Sequence, residues 1–266
     1  QQEKKEELEK KYKIELEKIL EKESIDLTGL PENCTFFRVP DDPSLSLRKN
    51  LQKQAEDWLK DPKSIPNSLK NLLSKKGDDK IVKLNNLIEL KGVDISTSIA
   101  GFFKSNHSQI LGIQGPPGTG KSTITANCVS KLASYGFKIA ISSNSHSVIN
   151  NLLKKIQKIL SNQENEVKIF KSENRKEPNE ELAKKSINII QTKKVADVIS
   201  DGCIIGGTVW ALCLEELKDK FDLLVIDEAG QMSMANLMIM SGCAKSILLV
   251  GDQQQLSHVS EALHDS

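Results

Sequence analysis

The chain is 266 residues long, enough for one large domain or two modest ones with an ample core. Its 37 basic and 36 acidic side chains leave a formal charge of +1, so no global field advertises a nucleic-acid partner and any such contact must come from a local groove. Five scattered cysteines without a CxxC, and four isolated histidines, exclude a disulfide framework and a zinc site and point to a reducing, intracellular (cytoplasmic) setting.

Residues 1–23 hold eight Glu and seven Lys around a sparse stripe of Leu8, Tyr12, Leu16, Ile19 and Leu20. This predicts a solvated helix with many i,i+4 Glu–Lys pairs, too short in its stripe for a coiled coil. Pro31, Pro40 and Pro43 then mark an irregular connection. Short helices are expected over 44–60, 68–74 and 80–90, and Asp94 is placed to cap another whose stripe is Ile95, Ile99, Phe102 and Phe103. No catalytic constellation occurs in this third, and we read 1–92 as a helical support preceding a lobe over 93–266.

The lobe begins with an apolar run, Ile110 to Ile113, that reads as a buried strand. Gly115-Pro116-Pro117-Gly118-Thr119-Gly120-Lys121-Ser122-Thr123 follows, and helical spacing resumes from Lys121. Strand, GxxxxGK[ST], helix is the context of a phosphate-binding loop. Glycines let backbone N–H groups converge on phosphate oxygens, Lys121 can reach the β- and γ-phosphates, and the Ser122 hydroxyl can ligate Mg²⁺. ATP with Mg²⁺ is therefore the expected ligand.

Strands are next expected over 138–143, 167–170, 203–209, 221–226 and 247–250, with a helix over 147–160 and a Met-rich core helix over 232–240. Residues 171–186 read as a charged loop. Continuous apolar runs alternating with helices mean an α/β fold with a mainly parallel sheet and active groups at the strands' carboxyl ends.

Asp227 and Glu228 end one such strand. An Asp-Glu pair alone also fits a solvated loop; beside Lys121 and Ser122 it reads as a metal-holding aspartate followed by a carboxylate that orients or deprotonates water. Gly251-Asp252-Gln253-Gln254-Gln255-Leu256 repeats the geometry one strand later, where the Gln255 amide suits a sensor of the γ-phosphate.

GPPGTGKS, DEAGQ and GDQQQL, in that order, resemble motifs I, II and III of superfamily 1 helicases, and DEAxQ is similar to the nonsense-mediated-decay branch. The stretch from Ile141 to Leu152 resembles motif Ia, and Gly206 to Ala211 resembles motif Ic. The SxSHxxIxNLL wording, with His258 after GDQQQL, is also similar to bacterial proteins that fuse a RecB-like nuclease to a helicase core. The resemblance implies a RecA-like phosphate-loop lobe, single-stranded DNA or RNA as partner, and backbone contacts at Ser143, Asn144, Ser145 and Thr208. Ser145 could equally cap the helix it precedes. A second RecA-like lobe outside these 266 residues is implied too, supplying arginines to the transferred phosphate. The competing readings are an AAA-type ATPase acting on protein and a nucleotide switch. Asp227 follows Lys121 by 106 residues, long for a compact AAA module.

Overall fold

A computed structural model describes residues 44–74, 84–85, 92–162, 167–174 and 180–252. The charged stretch over 1–23, the proline-marked connection, most of 80–90, and Gln255 lie outside the described residues. By contact the chain divides into Gln1–Asp42 and Pro43–Ser266.

Seven parallel strands form the centre: β1 (Ile110–Gln114), β2 (Ile139–Ser142), β3 (Ile169–Ser172), β4 (Asn188–Ile190), β5 (Ile204–Gly206), β6 (Phe221–Asp227) and β7 (Ala244–Gly251). Their order across the sheet is β1-β7-β6-β2-β5-β3-β4. Helices α1 (Ser44–Lys60), α2 (Asn67–Ser74), α3 (Ile95–Ser105), α4 (Lys121–Ser134), α5 (His146–Leu160), α6 (Glu180–Ala183), α7 (Val209–Leu212) and α8 (Met234–Ser241) complete the lobe.

The continuous apolar runs are explained by burial on both faces. Along β2, Ile139 and Ile141 join Val129, Leu132, Ile149 and Leu153 under α4 and α5, while Ala140 faces the opposite core with Phe221, Leu224 and Met240. The sheet is thus sandwiched between helical layers, an α/β three-layer arrangement. One close approach requires glycine: a Cβ on Gly206 would lie 2.7 Å from Leu153 Cδ1 and 2.8 Å from Ile149 Cγ2, so α5 rests on β5 only because that position is bare.

Asp94 caps α3 as its position predicts, accepting from the Ser96 N–H at 3.0 Å. The α4 terminus closes through Gly136 at φ +88°, with Gly136 N–H donating to Ala133 C=O and Phe137 N–H to Leu132 C=O. That paired pattern is the Schellman ending, which needs a left-handed residue. Helix α1 packs against α8, with Leu47 on the core, so the helices preceding the phosphate loop contact the sheet's covering layer directly.

Three elements differ from the sequence expectation. Strand β4 and the short α6 fall in or beside a stretch read as loop. β4 has three residues at the sheet's edge, begins with an exposed Asn188 and carries no apolar run, so it offers no periodic signal. The run over 203–209 is strand only to Gly206, and its remaining apolar residues belong to α7.

Candidate nucleotide site

The phosphate loop joins β1 to α4. Gly118 (φ +81°) and Gly120 (φ +85°) both adopt the left-handed backbone that side chains resist. Gly115 is required for a second reason: a Cβ there would sit 2.9 Å from Thr119 Oγ1, which donates to Pro116 C=O at 2.8 Å across the loop. Gly120 is the N-cap of α4 and offers no side-chain acceptor to the first turn; its carbonyl accepts from the Thr123 and Ile124 N–H groups at 2.9 and 3.0 Å. The Lys121 Nζ folds over the loop, donating to Gly115 C=O at 2.5 Å and Pro116 C=O at 2.8 Å. Ser122 and Thr123 start the helix at the same end.

The loop is tied to the other motifs through β7, which lies between β1 and β6. Gly115 N–H donates to Gly251 C=O at 3.3 Å, and Gln114 pairs in register with Gly251. On the other side Asp227 pairs with Val250. Beyond the strands, the two turns press together without side chains: a Cβ on Gly251 would lie 3.2 Å from Gly230 N, and one on Gly230 would lie 3.0 Å from Asp252 C=O. The backbones after β6 and β7 are therefore in contact beside the phosphate loop.

Asp227 is buried at the end of β6 and accepts from the Glu228 N–H at 3.0 Å. Burial pushes its carboxyl above the usual range, partly opposed by that N–H and by Lys155 and Lys121. Glu228 is raised as well, first by burial and then by the neighbouring Asp227. Its backbone is left-handed (φ +55°, ψ +44°), uncommon for a residue with a Cβ. A single turn holds it: Gln231 N–H donates to Glu228 C=O at 2.9 Å, and Met232 N–H to Ala229 C=O at 3.1 Å. Backbone strain of this kind, on the order of 1–3 kcal/mol, persists where surroundings over-determine it.

Asn144 is part of that surrounding. Its Nδ2 donates to the Gln231 C=O, linking the end of β2 to the turn that holds Glu228. The resemblance assigns Asn144 a ligand contact and gives no hint of this bond, which depends on β2 and β6 being neighbours. The other three residues grouped with it have separate surroundings. Ser143 is buried, Ser145 caps α5 by accepting from Ser147 N–H at 3.2 Å, and half-buried Thr208 accepts from Ala211 and Leu212 N–H through its carbonyl.

Mg²⁺ prefers hard oxygen ligands and keeps water and substrate phosphates in its shell, so it needs no all-protein cage. The described residues contain no group of three His, Cys, Asp or Glu able to hold a metal. The Asp227 carboxylate and Ser122 hydroxyl are oxygen donors of the right class. The four described cysteines, Cys128, Cys203, Cys213 and Cys243, are free thiols, and no described helix is long and apolar enough to cross a membrane.

Curated relatives bear on the same stretch. The chain is 24% identical over 253 residues to the DNA replication ATP-dependent helicase/nuclease DNA2 of Gallus gallus, covering 87% of this chain and 24% of the relative. It is 29% identical over 150 residues to the protein of the same name from Saccharomyces cerevisiae, covering 54% and 10%. The chain thus spans a quarter or less of these relatives. Among solved structures, the DUF1998 helicase MrfA bound to DNA aligns with a TM-score of 0.37 at 14% identity, covering 54% of this chain and 20% of that one. A nuclease-deletion mutant of the Type ISP restriction-modification enzyme LlaGI aligns with a TM-score of 0.40 at 14% identity, covering 70% and 18%. Overlaps this partial carry no weight for the fold, which rests on the sheet itself. Residues 99–263 match the AAA domain family over more than half of the chain, and the chain belongs to that family.

Proposed function

We propose that this chain is the ATP-binding and hydrolysing motor lobe of a helicase or translocase acting on single-stranded nucleic acid. What carries the reading is the convergence of Lys121, Asp227 and Glu228 on the carboxyl ends of β1 and β6, locked through β7. The likeness to ATP-dependent helicase/nucleases supports it. So does DEAGQ, the form of motif II that resembles the nonsense-mediated-decay branch, and so does the SxSHxxIxNLL wording, which is also similar to bacterial proteins that fuse a RecB-like nuclease to a helicase core. A reducing intracellular setting fits the free thiols.

In this reading residues 115–123 wrap the phosphates with backbone N–H groups, and Lys121 leaves its loop carbonyls for phosphate oxygens. Ser122 and Asp227 would hold Mg²⁺, which would neutralise charge on the phosphates. Glu228 takes a proton from, or orients, the attacking water, and its raised affinity for protons suits a base. Gln255 senses the γ-phosphate. Ser143, Asn144, Ser145 and Thr208 border the strand-binding edge, with residues 93–266 as the lobe and 44–74 as its buttress. A second lobe would complete the site with arginines, so the 266 residues alone turn over ATP slowly. An AAA-type machine acting on protein, or a switch, would lack stimulation by single strands.

The direct test is Lys121→Ala. Mg·ATP affinity, read by calorimetry, should fall by two orders of magnitude or more with far-UV circular dichroism unchanged. Undiminished affinity would remove the loop from the site.

A further inference from the structure

Glu228 sits in a backbone conformation that side chains resist, so whatever fixes its turn also decides where its carboxylate points. That turn, Ala229–Gln231, is supported differently on its two sides. Toward β7 the support is close approach: a Cβ on Gly251 would lie 3.2 Å from Gly230 N and 3.4 Å from Ala229 N. Toward β2 it is a directional bond, in which Asn144 Nδ2 donates to the Gln231 C=O.

The register of the sheet explains why Asn144 reaches the turn. β2 and β6 run parallel, with Ser142 opposite Ile226. Two residues further along each chain, Asn144 comes level with Glu228. Its neighbours are anchored: Ser143 is buried, and Ser145 caps α5. Asn144 itself is exposed, carried between these two fixed points. Gln231 then joins it to Glu228 through one peptide backbone. The Gln231 N–H donates to Glu228 C=O at 2.9 Å, while the Gln231 C=O accepts from Asn144. With the β2 side released, a left-handed Glu228 would relax toward ordinary backbone and carry its carboxylate away from the end of β6.

We propose that Asn144 is a positioning residue for ATP hydrolysis, holding the Glu228 turn from the β2 side so that the carboxylate stays aimed at the attacking water. The inference rests on the motor-lobe reading. It gives Asn144 an inward task in place of the strand contact that the resemblance implies, and the task is carried through the Gln231 backbone.

Asn144→Ala removes the donor, and Asn144→Asp keeps the shape while setting an oxygen against the Gln231 carbonyl. The test is single-turnover hydrolysis of Mg·ATP by the 266-residue chain in saturating excess, without nucleic acid. Both variants should slow it roughly 10- to 100-fold, since a shift of about 1 Å can cost about 100-fold in rate. Mg·ATP affinity and far-UV circular dichroism should stay near those of the parent. In the Glu228→Gln background the same substitutions should cost little further, because no carboxylate is left to aim. Amide hydrogen exchange gives a readout independent of turnover. The Gln231 and Met232 N–H groups, bonded within the turn, should exchange roughly 5-fold faster in Asn144→Ala, the factor for one ordinary hydrogen bond, with those of β6 unchanged. Unchanged hydrolysis or unchanged exchange would overturn the proposal, and weakened oligo(dT) binding alongside either would assign Asn144 to the strand instead. A loss of rate that persists in full in the Glu228→Gln background would overturn it as well, leaving the motor reading standing. Normal turnover in Glu228→Gln alone would instead remove the base on which both rest.

Discussion

Asp94 and Asp227 are both aspartates at the boundary of a regular element, and the protein treats them in opposite ways. Asp94 lies outside the N-terminus of α3, where the Ser96 N–H, two hydroxyls and Lys131 Nζ at 2.5 Å converge on its carboxylate. Those partners hold it well below the usual carboxylate range, Lys131 first among them. Asp227 ends a buried strand, and burial lifts it above that range. The first arrangement satisfies every local rule for a cap. The second keeps a desolvated acid beside another acid, on a backbone whose next residue is left-handed. Local agreement marks the scaffold; local disagreement clusters at Asp227, Glu228 and the bare contacts of Gly230 and Gly251, the place of the proposed nucleotide site.

The comparison breaks most sharply at Glu228. If the disagreement there exists for catalysis, Glu228→Gln should lower single-turnover hydrolysis by about 10²–10⁴-fold, the usual contribution of a positioned base. Mg·ATP affinity should stay near that of the parent, because the amide keeps the shape. Normal turnover in Glu228→Gln would reassign the base.

The next effect concerns stability and has an unusual sign. A carboxyl whose folded value is raised costs stability once the pH exceeds that value, and the cost disappears below the ordinary carboxylate range. Asp227→Asn removes the buried charge and also relieves Glu228, which is raised partly by Asp227. The variant should therefore melt higher than the parent at neutral pH, by about 2–4 °C for each kcal/mol relieved. That gain should shrink as pH falls through the raised value toward the ordinary one. Thermal melts without nucleotide or Mg²⁺, taken from pH 7 down to 4, measure it. A variant less stable than the parent at pH 7 would show that Asp227 is paid for within the apo fold.

How much of this was legible in the sequence follows from the range of the signals. GPPGTGKS carries its own geometry, because glycine, lysine and serine at fixed offsets dictate a loop that can form in only a few ways. Strands β2, β6 and β7 announce themselves by apolar runs, since both their faces are covered. The cap at Asp94 was readable from a single residue and its stripe. Contacts made across the sheet were not. The Asn144 bond to Gln231 spans 87 residues and exists because β2 lies next to β6. The approach of Gly230 to Asp252 needs β6 and β7 in register. Edge strand β4 escaped because three residues with a polar first member carry no period.

The smallest effect tests the scaffold side of the comparison. The Asp94 side chain is about half exposed (57%), so its ion pair with Lys131 is screened and contributes little by itself. Most of its value is the cap, worth about 1 kcal/mol when such a residue becomes alanine. Asp94→Ala should therefore lower the melting temperature by about 2–4 °C at pH 7. Asp94→Asn keeps an acceptor for the Ser96 N–H and should lose less. The pH dependence must run opposite to that of Asp227. A carboxyl held low in the fold stabilises above the ordinary carboxylate range, and its stabilisation is lost as pH falls through that range toward the depressed value. The gap between Asp94→Asn and the parent should thus close on acidification as a loss disappearing, where that of Asp227→Asn closes as a gain disappearing. The two melts plotted against pH should converge on the parent from opposite sides. Curves that approach from the same side would mean that the two aspartates do not differ in the way their surroundings dictate.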